Sequence, residues 1–264
     1  MGHRARKRFG QNFLHDPQVI RRLLAAIAVQ PGDHVVEIGP GQGALTWGLL
    51  EQAKRLDVIE LDRDLIAPLR ERLGVSERLL IHQGDALEFD LHALTSRPAE
   101  LRIVGNLPYN ISTPLLFHLL AQLALIRDLH LMLQKEVVER IAASPGSKTY
   151  GRLSIMVQTH CAAINLFRIG PGAFKPVPKV ESAFLRLIPW RPLRYPLADP
   201  GLHARIVAAA FGQRRKTLRN SLEGLVPVEL IERAGLNPQA RAERIDVEGY
   251  ARLANLAADA VTAS

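Results

Sequence analysis

The stretch HVVEIGPGQG, residues 34–43, decides the fold. Its first half, His34–Ile38, is a short β-branched run typical of buried strands in parallel sheets. Its second half is rich in glycine, and an apolar run with the composition of a helix follows at 44–50. Glycines let the backbone pass close to a ligand, and the positive end of the next helix lies beside them. Strand, glycine turn and helix together predict a nucleotide-binding α/β unit.

Carboxylates follow the next two predicted strands. The run 56–60 ends in Glu60, about 20 residues after Gly39, the spacing at which an acid can accept both ribose hydroxyls of a nucleoside. The run 79–82 is followed by Asp85, which we expect beside the same site, accepting an adenine amine. The site is therefore predicted to recognise a nucleoside.

The glycine turn alone leaves two ligands open. Gly39-x-Gly41-x-x-Ala44 satisfies the dinucleotide pattern, and Gly39-x-Gly41-x-Gly43 satisfies the looser turn used for S-adenosylmethionine. A dehydrogenase would not need the amine-binding residues described next. Methyl transfer explains both those residues and Asp85, so S-adenosylmethionine is the favoured ligand.

A fourth predicted strand, 101–105, leads into the tetrapeptide Asn106-Leu107-Pro108-Tyr109. The amide oxygen of Asn106 and a backbone carbonyl near Leu107 and Pro108 can each accept a hydrogen from an exocyclic amine, while Tyr109 stacks on the ring that bears it. These four residues by themselves are more typical of an ordinary turn than of a site. Their position after a cofactor turn and two acids makes them the predicted point of chemistry.

The rest of the chain divides into two regions. A helix at 113–125 and a strand at 129–134 continue the alternation, which predicts a doubly wound α/β fold with a parallel sheet. Two later strands, 161–167 and 183–188, could form an antiparallel edge pair, and the basic loop between them carries Phe174, either a loop anchor or an exposed face for base stacking. Beyond residue 190 the pattern is helical, with predicted helices at 203–222, 227–234 and 247–260. We therefore predict domains at 1–190 and 191–264.

Charge and composition restrict the partners. The 264 residues include 34 Lys and Arg against 26 Asp and Glu, a net charge of +8, and the excess is clustered near the N-terminus and at 214–219. Such clusters favour a polyanionic partner. On the helix predicted at 203–222, Val207, Phe211, Leu218 and Leu222 form the predicted core stripe, and the outer basic side chains would contact phosphates. These are Arg215, Lys216 and Arg219.

The single cysteine, Cys161, lies in an apolar run and is predicted to be a buried structural thiol in a reducing compartment. The sequence contains neither an apolar run long enough to span a membrane nor a signal-peptide pattern, so a cytoplasmic protein is expected. The predicted reaction requires no metal.

Five motifs make the sequence resemble the KsgA/RsmA family of ribosomal RNA adenine dimethyltransferases. They are RKRFGQNFL at 6–14, VEIGPG at 36–41, NLPYNIS at 106–112, FKPVPKV at 174–180 and QRRKTLRN at 213–220. The resemblance covers nearly the whole chain. It implies a Rossmann-like class I methyltransferase with a mostly parallel seven-stranded sheet and a small all-helical, RNA-binding C-terminal domain.

The resemblance also implies the reaction and its residues. Two adjacent adenosines near the 3′ end of 16S ribosomal RNA would each receive two methyl groups from S-adenosylmethionine. The cofactor would contact Asn12, Leu14, Gly39, Gly41, Glu60, Asp85 and Asn106. The target adenine would lie between Tyr109 and Phe174, beside Leu107 and Pro108, and Arg6, Lys7 and Arg8 would join the C-terminal cluster in binding RNA.

The expected partners are small-subunit ribosomal RNA and the immature 30S subunit, bound by a monomer. Two alternatives remain open at this point. The first is a mainly non-enzymatic assembly factor for the small subunit. The second is an NAD-dependent oxidoreductase, which depends only on the glycine turn and Glu60.

Overall fold

The computed structural model describes residues 11–74, 76–213 and 215–262. Arg6, Lys7 and Arg8, which the sequence predicts to bind RNA, lie outside these residues, as does Arg214. All other predicted site residues are described.

The main sheet has seven strands in the order β4-β3-β2-β5-β6-β9-β7. Neighbouring strands from β4 to β6 pair in parallel, and β9 is antiparallel to β6. Two short strands, β1 and β8, form a separate antiparallel pair. The strands are β1 Phe13–Leu14, β2 His34–Ile38, β3 Arg55–Glu60, β4 Leu79–Gln83, β5 Leu101–Asn106, β6 Ile126–Gln134, β7 Cys161–Ile169, β8 Phe174–Lys175 and β9 Ser182–Pro189. The predicted seven-stranded, mostly parallel sheet is confirmed.

The buried strands explain the apolar runs of the sequence. All five residues of β2 are buried, as expected for a central parallel strand covered on both faces. The first helix is capped at its N-terminus by Asp16, whose side chain accepts hydrogen bonds from the amides of Gln18 and Val19. The helices are α1 Pro17–Ile27, α2 Thr46–Gln52, α3 Arg63–Leu73, α4 Ser112–Ala121, α5 Lys135–Ile141, α6 Arg152–Gln158, α7 Pro200–Gly212, α8 Leu218–Ser221, α9 Val228–Arg233 and α10 Val247–Thr262.

The chain folds into two compact units. The first consists of Met1–Val138 and Ile164–Pro189, and the second of Glu139–Ala163 and Trp190–Ser264. The predicted boundary at 190 therefore needs a correction, since 139–163 belongs to the helical unit. Tyr150 and Ile155, both fully buried, explain the difference because they pack into the core of that unit.

The long helix predicted at 203–222 is wrong. Helix α7 ends at Gly212, Gln213 has φ −134° and ψ 77°, and helical structure resumes only at Leu218. The Leu218 amide donates to the Ala240 carbonyl and Thr217 forms a β-bridge with Arg241, so contacts with a later segment replace continuation of the helix.

The predicted core stripe survives the break in this helix. Val207, Leu218 and Leu222 are fully buried, and Phe211 packs against the same core. Arg215, Lys216 and Arg219 are exposed, as predicted. The buried thiol of Cys161, whose pKa burial raises to about 12, also agrees with the structural role predicted for it. In the part of the chain that the structure describes, no helix is long and apolar enough to cross a membrane.

Candidate active site

A cavity opens where β2, β3 and β5 end at the carboxyl edge of the sheet. This is the edge at which open α/β sheets bind ligands. Its lining brings together ten of the residues predicted for cofactor and substrate: Asn12, Leu14, Gly39, Gly41, Glu60, Asp85, Asn106, Leu107, Pro108 and Tyr109. The contacts within this cavity indicate what each group could do.

The glycine turn requires its glycines. Gly39 and Gly41 have φ values of +64° and +58°, which L side chains rarely adopt. A Cβ at position 41 would lie 3.0 Å from Cδ1 of Phe13, so a side chain there would also push against the segment that precedes α1. The Gly41 amide donates to Oε2 of Glu60 over 3.3 Å, which ties the turn to the end of β3.

Each of the two predicted acids accepts a hydrogen bond from the backbone amide two residues further along the chain. Glu60 is buried and its Oε1 accepts the Asp62 amide at 2.8 Å. Burial raises the pKa of Glu60 more than its backbone hydrogen bonds lower it. Asp85 is half-buried, and its Oδ1 accepts the Leu87 amide at 2.9 Å. Each carboxylate is therefore oriented by the backbone that follows it.

Glu37 is a further carboxylate in the lining that was not predicted from the sequence. It is the buried acid within β2, and burial raises its pKa to about 7, with the charge of Glu60 acting in the same direction. Within the described residues, its Oε2 has no hydrogen-bond partner. The signal was present in the sequence, because a glutamate inside an otherwise apolar, buried run is costly unless it meets a ligand or partner.

The lining is strongly acidic although the protein is basic overall. Glu37, Glu60, Asp62 and Asp85 line the cavity, and none of its described lining residues is Lys, Arg or His. Such a lining favours a ligand with positive charge and disfavours a pyrophosphate. The cavity therefore fits S-adenosylmethionine, which carries a sulfonium and an ammonium group, better than a dinucleotide.

Residues 11–15 form an arm over the cavity. The Asn12 carbonyl accepts a hydrogen bond from Nδ2 of Asn106 at 3.1 Å, and Nε2 of Gln11 donates to Asp62 at 3.2 Å. Further along, Leu14 pairs with Phe174 between β1 and β8, and the His15 amide donates to the Ala173 carbonyl. Residues 11–14 therefore form part of the wall of the cavity.

The tetrapeptide is held by its backbone at both ends. The Leu107 amide donates to the Met132 carbonyl at 3.1 Å, and the Ser112 hydroxyl donates to the Tyr109 carbonyl, also at 3.1 Å. Since the Asn106 amide nitrogen donates to the arm, its oxygen remains the group that can accept a hydrogen from a substrate. Residues 106–109 do form a bend, and this bend is part of the site because it presents the Asn106 amide and the backbone carbonyls to the cavity.

Phe174 does not have the exposure that a stacking role requires, and that expectation needs a correction. Its side chain is 0% exposed, and it does not line the cavity. Phe174 lies in β8 opposite Leu14 and packs in the core with Met132 and Phe184. Of the two aromatic residues predicted to stack on the base, only Tyr109 lines the cavity, and Phe174 is a loop anchor.

Within residues 11–74, 76–213 and 215–262, no group of three or more His, Cys, Asp or Glu side chains is placed to hold a metal ion.

A sheet of this strand order, with its ligand cavity beside the ends of β2, β3 and β5, is the architecture of the class I methyltransferases. Comparison with known proteins identifies the family within this class. Residues 2–259 match the family model described as ribosomal RNA adenine dimethylase. The chain belongs to this family, which confirms the resemblance noted in the sequence.

Individual relatives agree along nearly the full length. The ribosomal RNA small subunit methyltransferase A of Pseudomonas aeruginosa is 58% identical over 257 residues, covering 97% of this chain and 96% of the relative. The protein of the same name from Marinobacter nauticus is 54% identical, covering 98% and 93%.

Solved structures show the same fold. A dimethyladenosine transferase from Plasmodium falciparum superposes with a TM-score of 0.80 at 26% identity, covering 91% of this chain and 95% of that one. The 23S rRNA methyltransferase ErmE gives a TM-score of 0.73 at 25% identity, covering 93% and 99%.

Proposed function

We propose that this protein dimethylates the exocyclic amines of two adjacent adenosines near the 3′ end of 16S ribosomal RNA, with S-adenosylmethionine as methyl donor. Beyond membership of the family, one observation in the structure supports this proposal. Nδ2 of Asn106 is committed to the Asn12 carbonyl, which leaves Oδ1 to accept a hydrogen at the cavity. An amide acceptor beside an acidic cofactor cavity suits an amine substrate and a cationic donor.

The chain supplies the contacts that hold the cofactor. The backbone of Gly39 and Gly41 would lie against it, Glu60 would accept its ribose hydroxyls, and Asp85 would accept its adenine amine. Asn12 and Leu14 of the arm would contact it from the other side, and Asn106 near its methyl-bearing end. When bound, S-adenosylmethionine supplies an electrophilic methyl group on a sulfonium.

The tetrapeptide would position the amine. The nitrogen lone pair of adenine is delocalised into the ring, so the amine is a poor nucleophile. Oδ1 of Asn106 and a carbonyl near Leu107 and Pro108 would accept its two hydrogens, and the ring of Tyr109 would stack on the base. With both hydrogens held by the chain, the lone pair of the amine would be free to accept a methyl group.

This alignment accounts for much of the expected rate acceleration, because fixing two reactants can remove roughly 7–11 kcal/mol of barrier. The chain needs no nucleophile of its own. The alkylated nitrogen loses a proton readily, so a strong general base is also unnecessary. The adenine must leave its stack to reach the cavity, as bases do in other enzymes that modify them.

The basic residues would hold the RNA. Arg215, Lys216 and Arg219 are exposed in the second compact unit and are proposed to contact phosphates, together with Arg6, Lys7 and Arg8. The proposed substrate is small-subunit RNA within the immature 30S particle. We also propose that the protein acts as a monomer in the cytoplasm.

The direct test is mass spectrometry of small-subunit RNA after incubation with the protein and isotopically labelled S-adenosylmethionine. We expect two adjacent adenosines near the 3′ end to gain two labelled methyl groups each. RNA lacking these adenosines serves as the control. RNA that remains unlabelled, or that is labelled at another base, would contradict the proposed function.

The phosphate contacts can be tested through their salt dependence. Exchanging Arg215 and Lys216 for Glu is expected to weaken RNA binding, because each lost phosphate contact removes one site of counterion release. The slope of log binding constant against log salt concentration should fall in magnitude by about 1 per lost contact. Exchanging Arg205 and Arg233 for Glu makes the same charge change at two other exposed positions of this unit. An unchanged slope for the double variant, or an equal change for the control, would assign these residues to ordinary solvated surface.

A further inference from the structure

The hydroxyl of Tyr109 has a partner that the reaction as described does not use. It lies 2.7 Å from Oγ of Ser182, 73 positions further along the chain. Ser182 is 0% exposed, whereas Tyr109 is half-buried and lines the cavity. A fully buried hydroxyl thus holds the outer end of a side chain that faces the substrate.

The position of Ser182 is itself well fixed. It is the first residue of β9, where it pairs with Gln134 at the end of β6. The adjoining residue, Glu181, accepts the Lys135 amide at 2.9 Å and forms an ion pair with the Lys135 side chain at 2.5 Å. The pairing of β9 with β6 and the contacts of Glu181 therefore fix the backbone that carries the Ser182 hydroxyl.

Stacking on a base uses only the face of an aromatic ring, and a phenylalanine would provide that face equally well. The hydroxyl must therefore matter for another reason. The Ser112 hydroxyl already fixes the backbone of Tyr109, but it leaves rotation about the side-chain bonds unrestricted. The contact with Ser182 restricts that rotation.

We propose that Ser182 is a positioning residue for methylation, holding the ring of Tyr109 in the plane against which the target adenine stacks. This inference rests on the proposed function. It concerns the target adenine, because Ser182 bonds to Tyr109, the residue proposed to stack on that base.

A double-mutant cycle tests the proposal. Tyr109→Phe, Ser182→Ala and the double variant are assayed on small subunits that lack adenine methylation, at saturating S-adenosylmethionine. Each single change is expected to lower kcat/KM for the RNA about three- to tenfold, the effect of one net hydrogen bond. The double variant should be no slower than either single one, and the KM for S-adenosylmethionine should stay unchanged in all three.

Ser182→Thr retains the hydroxyl and should retain most activity. Ser154→Ala, which removes the hydroxyl of another fully buried serine in the second compact unit, controls for the general loss of a buried hydroxyl. Melting temperatures of all variants show whether each is folded. If Ser182→Ala does not fold, Tyr109→Phe alone tests the proposal, because it removes the same hydrogen bond by changing the half-buried partner.

Three results would overturn the inference. They are wild-type kinetics for Tyr109→Phe, wild-type kinetics for Ser182→Ala, and a Ser182→Ala effect that persists in full when Tyr109 is already Phe. The last would mean that Ser182 acts through packing. If the wild-type protein fails to methylate the particles, the proposed function fails and this inference with it; every other failure leaves the proposed function standing.

Discussion

Asn106→Ala is expected to lower the rate of RNA methylation at least about a hundredfold, the usual cost of removing one essential preorganised hydrogen-bonding group from an active site. Two contacts disappear together. The substrate amine loses its acceptor at Oδ1, and the Asn12 carbonyl loses the donor at Nδ2 that joins it to the end of β5. Single-turnover methylation at saturating S-adenosylmethionine measures the loss. Cofactor binding should weaken but remain measurable by calorimetry, since the other lining residues are unchanged.

Asn106→Asp separates these two contacts. Its carboxylate can still accept a hydrogen from the amine, but it cannot donate to the Asn12 carbonyl and would repel that oxygen. We expect this variant to methylate RNA more slowly than wild type, because the bond to the Asn12 carbonyl is lost, but to retain more activity than Asn106→Ala, which loses both contacts. Asn165→Ala, an exposed asparagine on β7, is the matched control and should behave as wild type. Full methylation activity in Asn106→Ala would remove this residue from the mechanism.

The same variant tests whether the protein also acts as an assembly factor. Asn106→Ala keeps the exposed basic residues Arg215, Lys216 and Arg219 and should still bind immature small subunits. If maturation of the subunit proceeds normally with this variant present, binding alone is sufficient for assembly. If the variant blocks maturation, methylation is coupled to release of the protein.

The parts of the fold that local sequence determines were predictable. Strand β2 begins and ends as the hydrophobic run indicated, and β3 to β6 each contain their predicted strand. Buried parallel strands produce continuous apolar runs, and a glycine turn after a strand has few other uses. Residues such as Gly39, Glu60 and Asn106 were therefore found because each lies at the end of a strand or directly after it.

What the sequence could not reveal depends on contacts between distant segments. Phe174 is buried because it lies opposite Leu14, 160 positions earlier, and no local pattern reports that pairing. The helix predicted at 203–222 breaks because Leu218 bonds to Ala240. Segment 139–163 joins the second unit for the same kind of reason, since Tyr150 finds its core there.

The Ser182 contact with Tyr109 also joins segments far apart in sequence. Tyr109 lies in the NLPYNIS motif and Ser182 follows the FKPVPKV motif by two residues, but the spacing of the two residues contains no sign that their side chains meet. The site could therefore be located from the sequence, whereas the way in which its side chains are held could not.

Arg102→Ala is expected to lower the free energy of unfolding by about 3–5 kcal/mol, because it breaks a buried ion-pair network. The Arg102 guanidinium bonds to Asp33 at 2.7 Å and to both oxygens of Asp128 at 3.0 and 2.9 Å. It also donates to the carbonyls of Ile27 and Ala28 at the end of α1. Removing it leaves two buried carboxylates with fewer partners and two carbonyls without this donor. Urea denaturation at pH 7, followed by circular dichroism, measures the loss.

Arg127→Ala is the matched control, since it removes the same charge from the same aspartate. Its side chain is 46% exposed and lies 2.5 Å from Asp33, so we expect a loss of no more than about 1 kcal/mol. Equal losses for the two variants would contradict the importance assigned to burial.

The network also predicts how the effect of Arg102→Ala changes with pH. Burial raises the pKa of Asp33, but hydrogen bonds from the Gln30 amide, Arg102 and Arg127 outweigh it and hold that pKa below 3.8, its ordinary value. An acid with a lowered pKa in the folded state stabilises the protein above its ordinary pKa, and this contribution is lost as the pH falls through the lowered value. The difference in stability between wild type and Arg102→Ala should therefore be largest above pH 3.8 and shrink below it. A difference that stays constant down to the acid limit of folding would mean that Arg102 stabilises the fold through its carbonyl contacts and packing, and that its charge contributes little.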